Sequence, residues 1–256
     1  MWNTLILDPM INVLLLIYRT LGSNFGLSII VFTIIVRMLT LPLTLRQQKS
    51  TMKMQELQQS KKWQDMQKKY GDNKQKLQEE QLKLYQEIGF NPLSGCLPTL
   101  IQFPIIIGLY QAIIRALAST PVQLLELANH LYDIVPDSLI PLNNSFLWMN
   151  LGQPERLYLP FLPGVGIPVL TILVVISSYL QTKLTTPPST TGNQGQGAMM
   201  SNFMSLYLPV LLGYFAYSYA SGLALYFVIS NLLGILQYAA MGRLDLGNLL
   251  PFKKQP

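Results

Sequence analysis

The sequence is poor in the residue types on which most catalytic and metal sites depend. Its 256 residues include one cysteine, Cys96, and one histidine, His130. A single cysteine permits no internal disulfide, and a single histidine gives no basis for a zinc site or a catalytic triad. The sequence shows neither a glycine-rich phosphate-binding loop nor a pairing of nucleophile and base. We therefore expect no catalytic residue, no metal site and no cofactor, and the protein is not expected to be an enzyme.

Charged residues are also scarce, at 12% of the chain, whereas hydrophobic residues make up 50%. This balance is typical of a polytopic helical membrane protein. All acidic residues lie outside the apolar segments, which argues against a proton-coupled transporter because such proteins need ionisable relays within the membrane. The net charge of +6 does not indicate nucleic-acid binding, since ten of the eighteen Lys and Arg residues lie between Arg46 and Lys83 and are interleaved with the six acidic residues from Glu56 to Glu87.

One predicted membrane span carries a charge far from its ends. The segment 24–46 is apolar and long enough to cross a bilayer, yet it contains Arg37, nine residues before Arg46. At about 1.5 Å of helical rise per residue, the guanidinium lies roughly 13 Å into a hydrocarbon core about 30 Å thick. An unpaired charge at that depth costs about 2.5 to 17 kcal/mol. Because no other predicted span contains Asp or Glu, the charge must be compensated by water, by neutral polar side chains or by an acidic group of a ligand.

Arg37 shares one face of this predicted helix with three threonines, Thr33, Thr40 and Thr44. This polar face predicts a hydrated groove within the membrane that receives a ligand from outside the protein. The alternative is that Arg37 packs against Gln102 and backbone carbonyls, and only sets the spacing between helices.

The rest of the chain predicts an all-α polytopic membrane protein with five transmembrane helices. After 24–46, the predicted spans are 97–118, 165–183, 201–219 and 223–241. Residues 1–23 carry a helical apolar stripe interrupted at Asp8-Pro9, which predicts an amphipathic helix at the extracytoplasmic interface. The connecting segments are an extracytoplasmic loop at 119–164 with short helices, a flexible cytoplasmic loop at 184–200 and a basic tail at 242–256.

The polar segment 47–90 predicts a cytoplasmic helical hairpin. Good helix formers flank a turn signal at residues 70–73, and the aromatic residues Trp63 and Tyr70 recur in helical register. A charged flexible linker is the alternative for this segment. Residues 89–96 are expected to break the helix before the second span. Because Lys and Arg prefer the cytoplasmic side, the hairpin and the C-terminus are expected in the cytoplasm and the N-terminus outside.

Three stretches of the chain resemble the YidC/Oxa/Alb family of membrane protein insertases. They are Thr33 and Arg37 followed by Leu41-Pro42-Leu43, then Asn91-Pro92-Leu93-Ser94-Gly95-Cys96-Leu97-Pro98 with Gln102-Phe103-Pro104, and finally Ala220-Ser221-Gly222-Leu223-Ala224-Leu225-Tyr226 with Ser230-Asn231 and Gln237. The resemblance covers nearly the whole chain, including the hairpin and the five spans. Two positions depart from the family pattern: Phe227 lacks the hydroxyl often found there, and Ala220 replaces a common proline.

The resemblance implies a membrane protein insertase and chaperone that inserts newly made proteins, alone or beside the Sec translocon, in a bacterial plasma membrane. Its implied partners are nascent membrane proteins, the lipid bilayer, the Sec translocon and the ribosome, although the short basic tail argues against strong ribosome docking. The implied groove and client-contact residues are Arg37, Thr33, Gln102, Phe103, Ile106, Tyr226, Phe227, Ser230, Asn231 and Gln237.

Two alternatives stay open at this point. For the polar residues of the second and fifth spans (Gln102, Ser230, Asn231 and Gln237), ordinary hydrogen bonding between helices is the competing interpretation. For the whole protein, an ion channel or a small-solute transporter is the competing function.

Overall fold

The structure is a computed structural model that describes residues 1–71, 73–87, 89, 92–117, 120–132, 142–158, 166–185 and 206–241. The chain divides into two compact units, Met1–Arg37 together with Ile105–Pro256, and Met38–Pro104. The predicted tail 242–256, and the predicted loop 184–200 from residue 186 onward, lie outside the described residues.

The described residues are mostly helical, which confirms the predicted helical class. A π-helical turn at Asn3–Leu7 precedes α1 (Asp8–Thr20), α2 (Phe25–Gln59), α3 (Lys61–Tyr70), α4 (Lys74–Glu87), α5 (Pro92–Ala116), α6 (Pro121–Ala128), α7 (Val169–Thr185), α8 (Leu208–Ser218) and α9 (Ser221–Ala240). Two antiparallel strand pairs were not predicted: β1 (Ser145–Phe146) with β2 (Met149–Asn150), and β3 (Leu157–Tyr158) with β4 (Gly166–Ile167).

Two helices of the described part of the chain are long and apolar enough to cross a membrane, Phe25–Ser50 within α2 and Ser221–Ala240. Val169–Leu184 and Leu208–Ser218 are apolar but shorter. The third predicted span began at residue 165, whereas α7 begins at Val169 because Gly166–Ile167 pair as a strand. The five-span arrangement therefore stays a prediction.

Several helix ends differ from the predicted boundaries. α2 does not end at Arg46 but continues to Gln59, because residues 47–59 are rich in strong helix formers. The expected break at 89–96 ends earlier, since α5 begins at Pro92. Proline is well tolerated at the first position of a helix, where its missing N–H would have no partner in the helix.

The N-terminal helix α1 packs against the core of the first unit. Its side chains Ile11, Leu14 and Leu15 are fully buried together with residues of α2, α5 and α9. The helical stripe is not interrupted at Asp8-Pro9, because the π-helical turn leads directly into α1 and Pro9 lies in its first turn. The position of this helix at the membrane interface stays a prediction.

Polar contacts also hold α1. The ring of His130 contacts the carboxylate of Asp8 at 2.7 Å through Nδ1 and the guanidinium of Arg115 at 2.5 Å through Nε2. Asn12 donates to the carbonyl of His130 at 2.8 Å and accepts from the backbone N–H of Tyr132 at 2.7 Å. The single histidine of the chain is thus surrounded by structural contacts that join α1 to the region after α6.

In the second unit, α3 and α4 pack through a small apolar cluster. Leu57, Trp63 and Met66 are buried, and the ring of Trp63 stacks on Tyr85 with a centroid distance of 5.9 Å. Ser60 caps α3 by accepting a hydrogen bond from the backbone N–H of Trp63. These contacts favour packed helices over a flexible linker for the described part of 47–90, and the cytoplasmic hairpin stays a prediction.

Candidate functional site

The side chain of Arg37 crosses from α2 to α9, and both partners belong to the first unit. Its Nε donates to the hydroxyl of Ser230 at 3.0 Å, and its Nη2 donates to the same hydroxyl at 2.6 Å. Nη2 also donates to the backbone carbonyl of Ser230 at 2.6 Å. These acceptors are neutral, so they satisfy hydrogen bonds of the guanidinium without cancelling its charge.

Gly234, one turn after Ser230, allows this close arrangement. A Cβ atom at Gly234 would clash with the side-chain amide nitrogen of Gln181 on α7, and would lie 3.7 Å from Nη2 of Arg37. Because glycine has no side chain, the amide of Gln181 and the guanidinium of Arg37 can both approach the surface of α9. Any larger residue at this position would push one of them away.

Asn231 fixes the neighbouring contact between α9 and α7. Its Nδ2 donates to the hydroxyls of Ser177 at 3.0 Å and Ser178 at 2.7 Å, and all three residues are buried. Since Asn231 follows Ser230 directly, this contact sets the rotation of α9 that presents Ser230 to Arg37. The site is therefore built by three helices: α2 supplies the charge, α9 supplies its acceptors, and α7 orients α9.

Thr33 on α2 and Gln237 on α9 make no hydrogen bond to this group among the described residues. Thr33 is fully buried, and its hydroxyl donates to the carbonyl of Ile29 in its own helix at 2.6 Å. The Nε2 atom of Gln237 is buried and has no hydrogen-bond partner among the described residues. Gln237 follows Ser230 by seven residues, so it lies on the same face of α9 two turns further along.

The predicted client-contact residues are divided between the two units. Tyr226 and Phe227 are 2% and 5% exposed and belong to the core of the first unit, with ring centroids 5.8 Å apart. Ile106 is partly buried against the same core. Gln102 and Phe103 belong to the second unit, where the Phe103 side chain is 55% exposed.

Sequence reasoning missed the contribution of α7 and of Gly234. Ser177, Ser178 and Gln181 lie near the end of the third predicted span. Their spacing of three and four residues places them on one helical face, which could have indicated a polar contact with another helix. Gly234 gave no signal of its own, because isolated glycines are common in membrane helices.

The arrangement is suited to attracting a carboxylate into an apolar environment. A guanidinium presents five N–H donors in a planar fork that matches a carboxylate. Ser230 satisfies part of this capacity through oxygen atoms that carry no net charge. An incoming carboxylate could replace such acceptors and add an attraction between opposite charges, which is stronger inside a protein than in water.

Comparison with known proteins identifies the family of this chain. Residues 16–246 match the family described as 60Kd inner membrane protein. Membrane protein insertase YidC 2 of Bacillus anthracis is 33% identical over 238 residues, covering 92% of this chain and 79% of that protein. Membrane protein insertase YidC of Oceanobacillus iheyensis is 34% identical over 241 residues, covering 92% of this chain and 81% of that protein.

A solved structure of a YidC insertase is also similar to this chain. The crystal structure of an active YidC insertase with its first transmembrane domain resolved is 29% identical, with a TM-score of 0.52. The match covers 87% of this chain and 42% of the crystallised chain, so this chain spans less than half of that protein's length. The motifs around Arg37 and Ser230, the helical fold and these relatives lead to one conclusion: the chain belongs to the YidC family of membrane protein insertases.

Proposed function

We propose that this protein inserts hydrophobic segments of newly made proteins into a bacterial inner membrane, and that Arg37 serves as the attracting charge of a hydrated groove. The observation that supports the groove is the position of Arg37 within an apolar helix, with hydrogen bonds to the neutral oxygen atoms of Ser230. The relatives named membrane protein insertases support the activity itself.

The physical task of an insertase explains why such a groove would help. Moving a polar segment across a bilayer is costly because its charges and backbone groups lose their water. A polar notch that extends partway into the membrane shortens the apolar distance that the segment must cross. A positive charge at its inner end lowers the cost further for segments that carry Asp or Glu, because their carboxylates find a partner.

The structure suggests different tasks for the aromatic residues named above. Phe103 exposes a large apolar surface, and we assign it to contact with the hydrophobic segment of a client, with Gln102 and Ile106 beside it in sequence. The burial of Tyr226 and Phe227 instead favours a role in holding α9 within the core. Their contact with clients would require a rearrangement of this core.

We further propose five membrane spans, with the N-terminus outside the cell and α3, α4 and the C-terminus in the cytoplasm. The excess of Lys and Arg between residues 46 and 83 supports this orientation, because such residues are retained on the cytoplasmic side. In this orientation, α3 and α4 would be accessible to the ribosome and to the Sec translocon, which are the proposed partners besides nascent membrane proteins and the lipid bilayer.

The test replaces Arg37 and varies the charge of the client. Cells depleted of their own insertase are supplied with this protein, with Arg37→Lys, or with Arg37→Ala, and the insertion of clients with zero to three acidic residues in the translocated segment is measured. Arg37→Lys should retain most activity because it keeps the charge. Arg37→Ala should fail for acidic clients, and much less for neutral ones.

A control and a stability measurement separate the groove role from helix spacing. Arg46→Ala removes the same charge from an exposed side chain of the same helix, and should leave insertion unchanged. In purified Arg37→Ala protein, we expect a near-normal melting temperature, because the variant removes the cost of a charge within an apolar helix together with its hydrogen bonds, and the Ser230 hydroxyl can turn to the backbone of its own helix. A loss of insertion that is equal for all clients and follows a loss of folded protein would refute the groove role.

A further inference from the structure

A separate cavity of about 450 Å³ lies in the segment 148–158, which contains strands β2 and β3. The side chains that line it include Trp148, Asn150, Arg156 and Tyr158. Trp148 and Tyr158 are 48% and 64% exposed, so two large aromatic side chains border an open polar cavity.

Arg156 is the one Lys or Arg residue between Arg115 and Lys183. Its guanidinium carbon lies 4.7 Å from the ring centroid of Tyr217, a stacked position over the aromatic face. Its aliphatic part passes over Gly166, where an added Cβ would lie 3.0 Å from Cβ and 3.2 Å from Cδ of Arg156. The guanidinium is therefore held in place before any ligand binds.

The neighbouring carboxylate does not neutralise this arginine. Glu155 is buried, and its Oε1 accepts from the indole N–H of Trp148 at 2.9 Å. Its Oε2 accepts from the backbone N–H of Leu170 at 3.0 Å, in the first turn of α7. No ion pair joins Arg156 to any carboxylate among the described residues.

The surroundings indicate the kind of ligand. Tyr217 lies in the last turn of the apolar helix α8, so Arg156 is positioned where that helix ends. Exposed Trp and Tyr side chains are typical of the boundary between lipid tails and water, which is also the depth of lipid phosphates. Guanidinium groups bind phosphate through two parallel hydrogen bonds.

We propose that this cavity binds the phosphate of a phospholipid headgroup, with Arg156 as the donor and Trp148 and Tyr158 beside the glycerol region. The proposal requires α8 to lie in a membrane, but it does not require the protein to insert clients. Failure of the insertion test would therefore leave it standing, and its own failure would leave the insertase proposal unaffected.

The test uses purified full-length protein in a phosphate-free maltoside detergent. Melting curves are recorded with increasing amounts of diheptanoyl phosphatidylglycerol, with a short-chain neutral glycolipid, and with inorganic phosphate. We expect a saturable rise in melting temperature with phosphatidylglycerol, and little or no rise with the other two. Arg156→Gln should weaken the binding of phosphatidylglycerol by at least about tenfold, which is the scale of a lost hydrogen bond to a charged group.

Two further variants keep the result interpretable. Arg156→Lys retains the charge without the planar fork and should bind with intermediate affinity. Arg19→Gln removes the same charge from another exposed side chain and should bind like the unchanged protein. Each variant is compared with its own melting temperature without lipid, so a change in folding is not counted as a change in binding.

The outcomes that would overturn the proposal are distinct. Equal affinity of Arg156→Gln and the unchanged protein would show that the arginine does not bind the lipid. An equal rise with the glycolipid would show that the acyl chains alone bind. An equal rise with inorganic phosphate would show a site for free phosphate instead of a lipid headgroup.

Discussion

Replacing Ser230 by alanine tests directly what holds Arg37 in place. The substitution removes the hydroxyl that accepts hydrogen bonds from Nε at 3.0 Å and from Nη2 at 2.6 Å. The backbone carbonyl of Ser230, which accepts from Nη2 at 2.6 Å, remains. The guanidinium thus keeps its charge and its position on α2 but loses the side-chain acceptor that Ser230 supplies.

The size of the effect follows from the kind of bond that is lost. Hydrogen bonds between side chains of membrane helices contribute about 0.6 kcal/mol on average and up to about 1.7 kcal/mol. Hydrogen bonds to charged groups in soluble proteins contribute about 1.5 to 3 kcal/mol. Because Ser230 is buried and accepts twice from one guanidinium, we expect its loss to lower the free energy of unfolding by about 1 to 2 kcal/mol.

The effect on activity should have the opposite sign. If client carboxylates bind Arg37, as proposed above, the hydroxyl of Ser230 occupies donors that they would use. Removing this competitor should increase the crosslinking of acidic clients near Arg37 and leave their insertion equal or higher. Neutral clients should be unaffected, since they do not compete for the guanidinium.

The assay combines unfolding in detergent with insertion of the charge-varied client series. Ser177→Ala is the matched control, because it also removes one buried hydroxyl but contacts Asn231 instead of Arg37. Asn231 keeps Ser178 as an acceptor in that variant, so the loss should stay near 0.6 kcal/mol, with no dependence on client charge. If Ser230→Ala lowers insertion of acidic clients at unchanged stability, the hydroxyl aims Arg37 and does not compete with the client.

Two further predictions concern packing and titration. Gly26→Ala would place a methyl group against the ring of Phe146, so we expect the free energy of unfolding to fall by about 1 to 3 kcal/mol. The double variant with Phe146→Ala should restore part of this loss. Unchanged stability of Gly26→Ala would show that the ring shifts without cost. Burial raises the pKa of Tyr85, so its phenol should ionise at a pH above about 10, the usual pKa of tyrosine. The packing of α3 against α4 should therefore weaken only when the pH rises above about 10. The difference in tyrosinate absorbance between this protein and Tyr85→Phe measures this directly, and a midpoint at or below 10 would contradict it.

The charge of the site could be predicted from the sequence, whereas the contribution of α7 could not. Arg37 stands out because a lone arginine in a long apolar run is costly in a membrane. Ser177 and Ser178 give no such signal, because serine hydroxyls in helices often bond to the preceding turn of their own helix. Ser177 does so with the carbonyl of Val174 at 3.2 Å, and it also accepts from Asn231. Only the packing of α7 against α9 reveals the second contact.

Proline explains two of the differences in element boundaries. The sequence predicts a helix interruption at both Pro9 and Pro92, yet each proline lies in the first turn of a helix, α1 or α5. A proline that begins a helix and a proline that ends one look alike in a single sequence, since both effects arise from the missing N–H and the fixed φ angle. Which of them applies depends on the residues that precede it.

The face of α9 that points to Arg37 shows how packing decides what composition leaves open. Tyr226 and Ser230 are four residues apart, as are Phe227 and Asn231, so the sequence places each pair on one helical face but does not say which face meets Arg37. The hydrogen bonds place Ser230 against Arg37 and Asn231 against Ser177 and Ser178, while the two aromatic side chains are buried in the core.

Gln237 extends the polar face that Ser230 begins, two helical turns further along α9. Its buried Nε2 has no partner among the described residues, and leaving a buried donor unpaired costs about 1 to 3 kcal/mol. A polar residue that contributed only to helix packing would be expected to have a partner, as Asn231 has in Ser177 and Ser178. The amide of Gln237 therefore continues the polar face of α9 beyond Ser230, without a partner among the described residues of the kind that Asn231 has.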